Sequence, residues 1–194
     1  MKTLVMFSGG VDSTYVLLKL LCETRDEVFA HHIHLVNYEG RHTVEAQRCR
    51  QIVEYCRRSV RAFHYTESAI DHRGFRFFGI DMISVGFEAG LVAHSYLIPR
   101  WTCGISADDQ RWEARFRHVE ASVAANAFPL APPEFFLLPR VSKLEEMRYL
   151  PPELLAMTWS CRKPIVEGDA FLACARCRAC RTLATLTEQL RPAG

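Results

Sequence analysis

No stretch of the 194 residues approaches the ~18 consecutive apolar positions of a membrane-spanning helix. A membrane partner is therefore not expected. The opening Met1-Lys2-Thr3-Leu4-Val5-Met6-Phe7 is too short an apolar segment for a secretory leader, and Ser-Gly-Gly interrupts it. The expectation is a cytoplasmic protein. A charge of one sign is missing too: 24 Lys and Arg against 22 Asp and Glu leave +2, too little to argue for nucleic acid. There are no internal repeats and no low-complexity segments. Eight cysteines without an export signal point to reduced thiols, and clustered ones to metal. What is present is ordinary for a globular chain, with 49% apolar and 24% charged residues. A chain of this size buries ~70% of its unfolded surface, so one domain with a small appendage folds without disulfides.

Strand and helix patterns alternate. Residues 3–7 form a short apolar strand, and 11–23 a helix with Val16, Leu17, Leu20 and Leu21 on one stripe. A second strand covers 28–36. Over 42–57, Cys49, Ile52, Val53 and Cys56 repeat at i, i+3, i+4, i+7, the spacing of a helix face. Residues 80–95 are apolar almost all round, as in a buried helix. A strand at 101–105, a helix at 109–127 and a strand at 135–138 follow. Ser142 and Glu145 then make a capping box for a short helix ended by Pro151-Pro152. This alternation predicts an α/β fold, a Rossmann-like parallel sheet with helices on both faces. Ligands of such sheets bind beyond the carboxyl ends of the strands.

One such end carries MFSGGVDST, residues 6–14. Gly9 and Gly10 permit a sharp turn and a close approach of phosphate to backbone amides. Ser8, Ser13 and Thr14 add hydroxyls, and the start of the next helix favours an anion. The loop lacks the lysine of G-x-x-x-x-G-K-[ST], so it is not a Walker loop.

Near the other end, Cys161, Cys174, Cys177 and Cys180 read C-x12-C-x2-C-x2-C. Four thiolates at this spacing suit a tetrahedral structural zinc site. An iron–sulfur cluster uses the same ligand set. The expected division is an α/β domain over 1–157, which carries the Gly-rich loop, and a zinc-binding subdomain over 158–194.

The stretch Ser8-Gly9-Gly10-Val11-Asp12-Ser13 resembles the pyrophosphate (PP) loop of N-type ATP pyrophosphatases, which have the adenine nucleotide α-hydrolase fold. The resemblance implies that ATP is cut between its α and β phosphates. Phe7, Ser8, Gly9, Gly10, Val11, Asp12, Ser13 and Thr14 would hold the departing pyrophosphate. Asp12 would hold or orient Mg²⁺, since a carboxylate beside phosphates needs a cation. Three further stretches are similar to the 7-cyano-7-deazaguanine synthases of queuosine biosynthesis. They are VNYEGRHTVEA (36–46), LPRVSKLEEM (138–147), and MTWSC with ACARCRACRTL (157–161 and 173–183).

That family implies a ligase that adenylates 7-carboxy-7-deazaguanine and uses ammonia to make first an amide and then the nitrile. It also implies a homodimer. Arg41 and His42 would lie near the ATP or the acid, and Lys143 would neutralise phosphate or the acyl-adenylate. Asp12, Ser13, Lys143, Arg41 and His42 are the expected catalytic set. Asp108 and Asp109, after CGIS, are candidate substrate or metal contacts. The family's Pro-Gly-Arg-Asn tetrapeptide is absent; residues 71–84 read DHRGFRFFGIDMIS instead.

Alternatives follow from that departure. The enzyme stops at the amide, or joins the activated acid to another amine. A tRNA-modifying adenylase or sulfurtransferase would call for an RNA-binding extension and a reactive cysteine pair. The tail arginines Arg162, Arg176, Arg178 and Arg181 leave RNA contact open, although nucleic acid is not the expected partner. An inactive nucleotide-binding module is the non-enzyme reading. Cys22, Cys49 and Cys56 read as small hydrophobes on helix faces. Cys103 is a candidate nucleophile. His31, His32 and His34 are expected to hydrogen-bond within the strand rather than bind metal.

Overall fold

The computed structural model describes residues 1–76 and 81–190. Its sheet is built from β1 (Lys2–Met6), β2 (Glu27–Val36), β3 (His64–Asp71), β4 (Arg100–Cys103) and β5 (Glu134–Phe135), in the order β3-β2-β1-β4-β5. All four pairings are parallel. The helices joining them are α1 (Val11–Glu23), α2 (His42–Ser59), α3 (Asp81–Tyr96) and α4 (Trp112–Ala127). Beyond the sheet come α5 (Lys143–Tyr149), α6 (Pro152–Met157), a β6 (Ile165–Glu167) and β7 (Ala170–Leu172) hairpin, and α7 (Arg178–Leu190).

A parallel sheet covered on both faces needs strands apolar on both, and β1 is the clearest case. Val5 and Phe7 enter the core shared with Val16, Leu17 and Leu20 of α1, Ile52 of α2 and Met147 of α5. Leu4 and Met6 point the other way, to Ala89 of α3, Val119 of α4 and Trp101. The chain winds outward from β1 through β2 to β3, then crosses to β4 on the other side. The carboxyl ends of β1 and β4 therefore flank the point where the winding reverses, which is where ligands of this architecture bind.

Helix α1 and the capping box of α5 form as the sequence predicts; Ser142 Oγ accepts from Glu145 N while Glu145 reaches back to Ser142 N. Four expectations change. Helix α3 is half-covered rather than buried: it packs on the sheet and α4, leaving Phe87 42% and Leu91 39% exposed. Its expected first residue, Ile80, lies outside the described residues, as do 77–80 of the 71–84 segment. The strand at 101–105 ends at Cys103, because Gly104 turns the chain toward α1. Asp109 accepts from Arg111 N in a turn, so α4 starts at Trp112. The strand at 135–138 shrinks to Glu134–Phe135. Strand β3, α6, the β6–β7 hairpin and α7 had no sequence signal strong enough to place them. No helix among the described residues is long and apolar enough to cross a membrane.

Candidate active site and metal centre

A cleft of about 650 Å³ opens at the carboxyl ends of β1, β2 and β4. Its floor is the Gly-rich turn between β1 and α1. Ser13 Oγ lies 3.2 Å from Ser8 N, 3.1 Å from Ser8 Oγ and 3.2 Å from Gly10 O, so the two serines tie the turn across its mouth. Gly10 is the N-cap of α1, and no side chain caps it. The helix start is thus left to an external acceptor, as an anion site requires. Gly9 adopts φ +70°, a conformation glycine takes without strain, and a Cβ there would meet Cys49 Sγ at 3.0 Å.

Phe7, Ser8, Gly10, Val11, Asp12 and Ser13 line the cleft. Gly9 and Thr14 do not. Gly9 turns its carbonyl outward to accept from Trp159 N at 2.9 Å, and the buried Thr14 hydroxyl has no partner among the described residues.

Lys143 supplies the cation that the loop lacks. Residue 143 opens α5, whose first turn packs back against α1, and Lys143 Nζ meets Asp12 Oδ1 at 2.5 Å. Asp108 fixes this arrangement by accepting from Lys143 N at 2.8 Å. Asp109 lines the cleft and is paired with Arg115. Behind Asp12 stands Glu146, 2% exposed, which lies in the 138–147 stretch but was not among the expected site residues. Burial, together with the hydrogen bond and charge of Asp12, pushes Glu146 up to about 10. Both causes favour the protonated form of Glu146 beside Asp12. Burial works against ionisation of Asp12, but Glu146 and Lys143 outweigh it and hold Asp12 below the usual carboxylate range.

Arg41 lines the cleft but is fully engaged. Its guanidinium binds Glu39 at 2.6 Å, Glu45 at 2.6 Å and Asp81 at 2.5 Å. Arg162 joins the network through Glu39 and Asp81, at 3.1 and 3.0 Å. Arg41 thus braces the cleft wall from α2 and α3. His42 is not among the cleft-lining residues, and its Nδ1 is buried without a partner among the described residues.

His31 hydrogen-bonds to Thr66 and Ser68, His32 to Phe7 O, and His34 to Glu67. No metal-ligand group among the described residues includes them. Burial pushes Cys103 up to about 12, so its cleft-lining thiol stays protonated and is a poor nucleophile. Cys49 and Cys56 are buried on α2, whereas Cys22 is exposed.

Cys161, Cys174, Cys177 and Cys180 gather with all four sulfurs within 4.8 Å of one another. A tetrahedral ion with metal–sulfur bonds of ~2.3 Å sets sulfurs roughly 3.8 Å apart, so these residues fit a single ion. Cys174 N lies 3.2 Å from Cys161 Sγ, and Cys177 N 3.3 Å from Cys174 Sγ. Such donors stabilise thiolates. Burial opposes ionisation of Cys177, but the backbone N–H groups of Arg162 and Cys180 bring it down to about 6.

No protein-family model matches this chain, and no curated protein matches it. Among solved structures, the chain is similar to U34-tRNA thiolase NcsA from Methanococcus maripaludis, determined with its 4Fe-4S cluster. The superposition has a TM-score of 0.48 and 18% identity and covers 98% of this chain. The chain spans 65% of the length of that protein.

Proposed function

We propose that this chain is an ATP pyrophosphatase of the PP-loop type, a carbon–nitrogen ligase that adenylates a 7-deazaguanine carboxylate and passes it to ammonia. The observation that carries the reading is the uncapped start of α1 in the Ser8–Ser13 turn, with Lys143 and Asp12 facing it. A turn of this kind holds an anion, and the paired lysine answers the absence of a Walker lysine.

A carboxylate resists ammonia until one of its oxygens can leave. Attack of that oxygen on the α-phosphorus of ATP breaks the α–β bond and releases pyrophosphate into the turn. Ammonia then displaces AMP and leaves the amide. A second adenylation, now on the amide oxygen, turns that oxygen into a leaving group, and its loss with AMP gives the nitrile. The serine hydroxyls and the amides at the start of α1 hold the leaving pyrophosphate. Lys143 moves from Asp12 to phosphate charge as ATP enters, and Glu146, buried beside Asp12, adds no second negative charge there while it is protonated. Mg²⁺, when bound, neutralises phosphate charge, and Asp12 is the residue placed to hold it. The four cysteines would hold a structural Zn²⁺ that stabilises the 158–194 subdomain.

The test is incubation of metal-loaded protein with MgATP, ammonium and 7-carboxy-7-deazaguanine, with nucleotide and base followed by mass spectrometry. AMP, pyrophosphate and 7-cyano-7-deazaguanine are expected. AMP with only the amide moves the reading to an amide synthetase. AMP formed only when tRNA is added moves it to an RNA-modifying adenylase. No AMP under any of these conditions leaves a nucleotide-binding module and refutes the enzyme.

A further inference from the structure

The segment between α6 and the first ligand cysteine lies against the phosphate loop itself. Trp159 N donates to Gly9 O at 2.9 Å, and a Cβ on Gly10 would meet Trp159 O at 3.4 Å. On its other side Trp159 belongs to the metal centre: its Nε1 donates to Cys161 O at 3.0 Å, and its ring packs in one cluster with Val44, Cys161 and Cys174. Trp159, Ser160 and Arg162 line the cleft, as does Ala179, which sits between the ligands Cys177 and Cys180. The metal module is thus one wall of the cleft.

Arg162 pairs with Glu39 and Asp81, and Leu183, Leu186 and Leu190 of α7 rest on the main core, but the module buries little of its own. Ile165, Val166 and Leu172 of the hairpin are 40%, 63% and 44% exposed, and α7 has no buried residue. A module with so small a core of its own takes its order from the metal that cross-links it. We propose that Trp159 is a positioning residue for the phosphate loop, and that metal at the four cysteines, acting through Trp159, sets how well the loop binds phosphate. Loss of the metal releases Cys161, then Trp159, and Gly9 O loses the donor that fixes the turn. The sheet and α1 stay folded, because their cores contain none of the four ligands. This inference rests on the reading of the turn as a pyrophosphate site.

The test uses magnesium pyrophosphate as probe, titrated calorimetrically into loaded protein, metal-stripped protein and Trp159→Ala. Metal content, far-UV dichroism and hydrogen exchange of residues 6–14 are measured alongside. Stripped protein is expected to bind at least about tenfold more weakly, the scale of one lost hydrogen bond plus the cost of ordering a loosened loop. Its sheet signal is retained and exchange at residues 6–14 quickens. Trp159→Ala keeps its metal and its backbone N–H but loses the ring and the Nε1 bond that tie residue 159 to Cys161 O and Val44, so the strap over Gly9 loosens; weaker binding and faster exchange at residues 6–14 are expected, which a purely structural metal would not produce. Binding within about twofold of the loaded wild type in both samples overturns the proposal. If stripping unfolds the whole chain, metal-loaded Trp159→Ala decides alone: weak binding supports the proposal and wild-type binding overturns it. If loaded wild type binds no pyrophosphate, the phosphate-site reading fails instead. Exchange at residues 6–14 then tests the coupling by itself, and a rate unchanged by metal removal overturns it.

Discussion

Gly104 is where the exit of β4 touches the start of α1, and Gly104→Ala tests that contact directly. A Cβ at this position would lie 2.5 Å from Asp12 C, 2.5 Å from Ser13 N and 2.8 Å from Asp12 Cβ. Ordinary contact begins at 3.4 Å, so the two segments must part by close to an ångström. The nearest atoms on the other side are backbone, and no rotamer change relieves the clash. Overpacking of this kind costs about 1–3 kcal/mol. For a chain of this length each kcal/mol moves the melting midpoint by about 2–4 °C, which gives a fall of about 2–12 °C. The displacement lands on Asp12 and Ser13, so phosphate binding suffers as well; a misplacement of about 1 Å in a catalytic site can cost about 100-fold in rate. The assay pairs thermal melting with pyrophosphate titration. Gly74→Ala serves as control, since no atom of the described residues lies within 4 Å of its Cβ. The control is expected to melt at or slightly above the wild type. A Gly104→Ala protein that melts and binds like the wild type would refute the close approach of β4 and α1.

Lys143→Met removes a charged partner worth about 1.5–3 kcal/mol, so pyrophosphate affinity is expected to fall roughly 10- to 100-fold; unchanged affinity would remove Lys143 from the phosphate site. Burial lowers His31 and His32 from 6.5 to about 4. Unfolded rings take up protons below pH 6.5 while the folded ones stay neutral, so stability is lost as pH falls from 6.5 toward 4, by about 3 kcal/mol per ring. Urea titrations at several pH values should show this loss, shallower in His31→Gln; equal slopes in the two proteins would place the ring outside the burial described. Ser142→Ala breaks the capping box of α5, with an expected loss of about 1 kcal/mol in urea titration and weaker pyrophosphate binding, because α5 carries Lys143. A variant with wild-type affinity would show that Lys143 does not depend on the cap.

The parts of this protein that local chemistry dictates could be read in the sequence. The apolar run of β1, the Ser-Gly-Gly turn and α1 form from neighbouring residues, and the two C-x2-C steps bring three thiolates together where the loop runs into α7. The pairing of Ser142 with Glu145 is local in the same sense. Strand β3 was not legible because it sits at the sheet edge, and its sequence, HYTESAID, shows no apolar alternation. Helix α3 reads as buried from its composition alone, since nothing in a sequence says how many faces will find a partner. Glu146 takes its meaning from Asp12 of α1, which lies beside it and is distant in sequence. Trp159 gave the same kind of silence, because its partner Gly9 lies at the far end of the chain. Arg41 shows what a motif leaves out. Its position in the cleft agrees with the motif, but three carboxylates from separate elements make it a brace.

The bond between Lys143 and Asp12 joins residues 131 positions apart. During synthesis, the Ser8–Ser13 turn leaves the ribosome long before the lysine that answers its aspartate has been made. At about 5–20 residues per second, the interval is roughly 7–26 s. Throughout that time the nascent chain displays a half-built anion cradle with no counter-cation. The cleft at the Ser8–Ser13 turn is therefore completed long after its own loop has been translated.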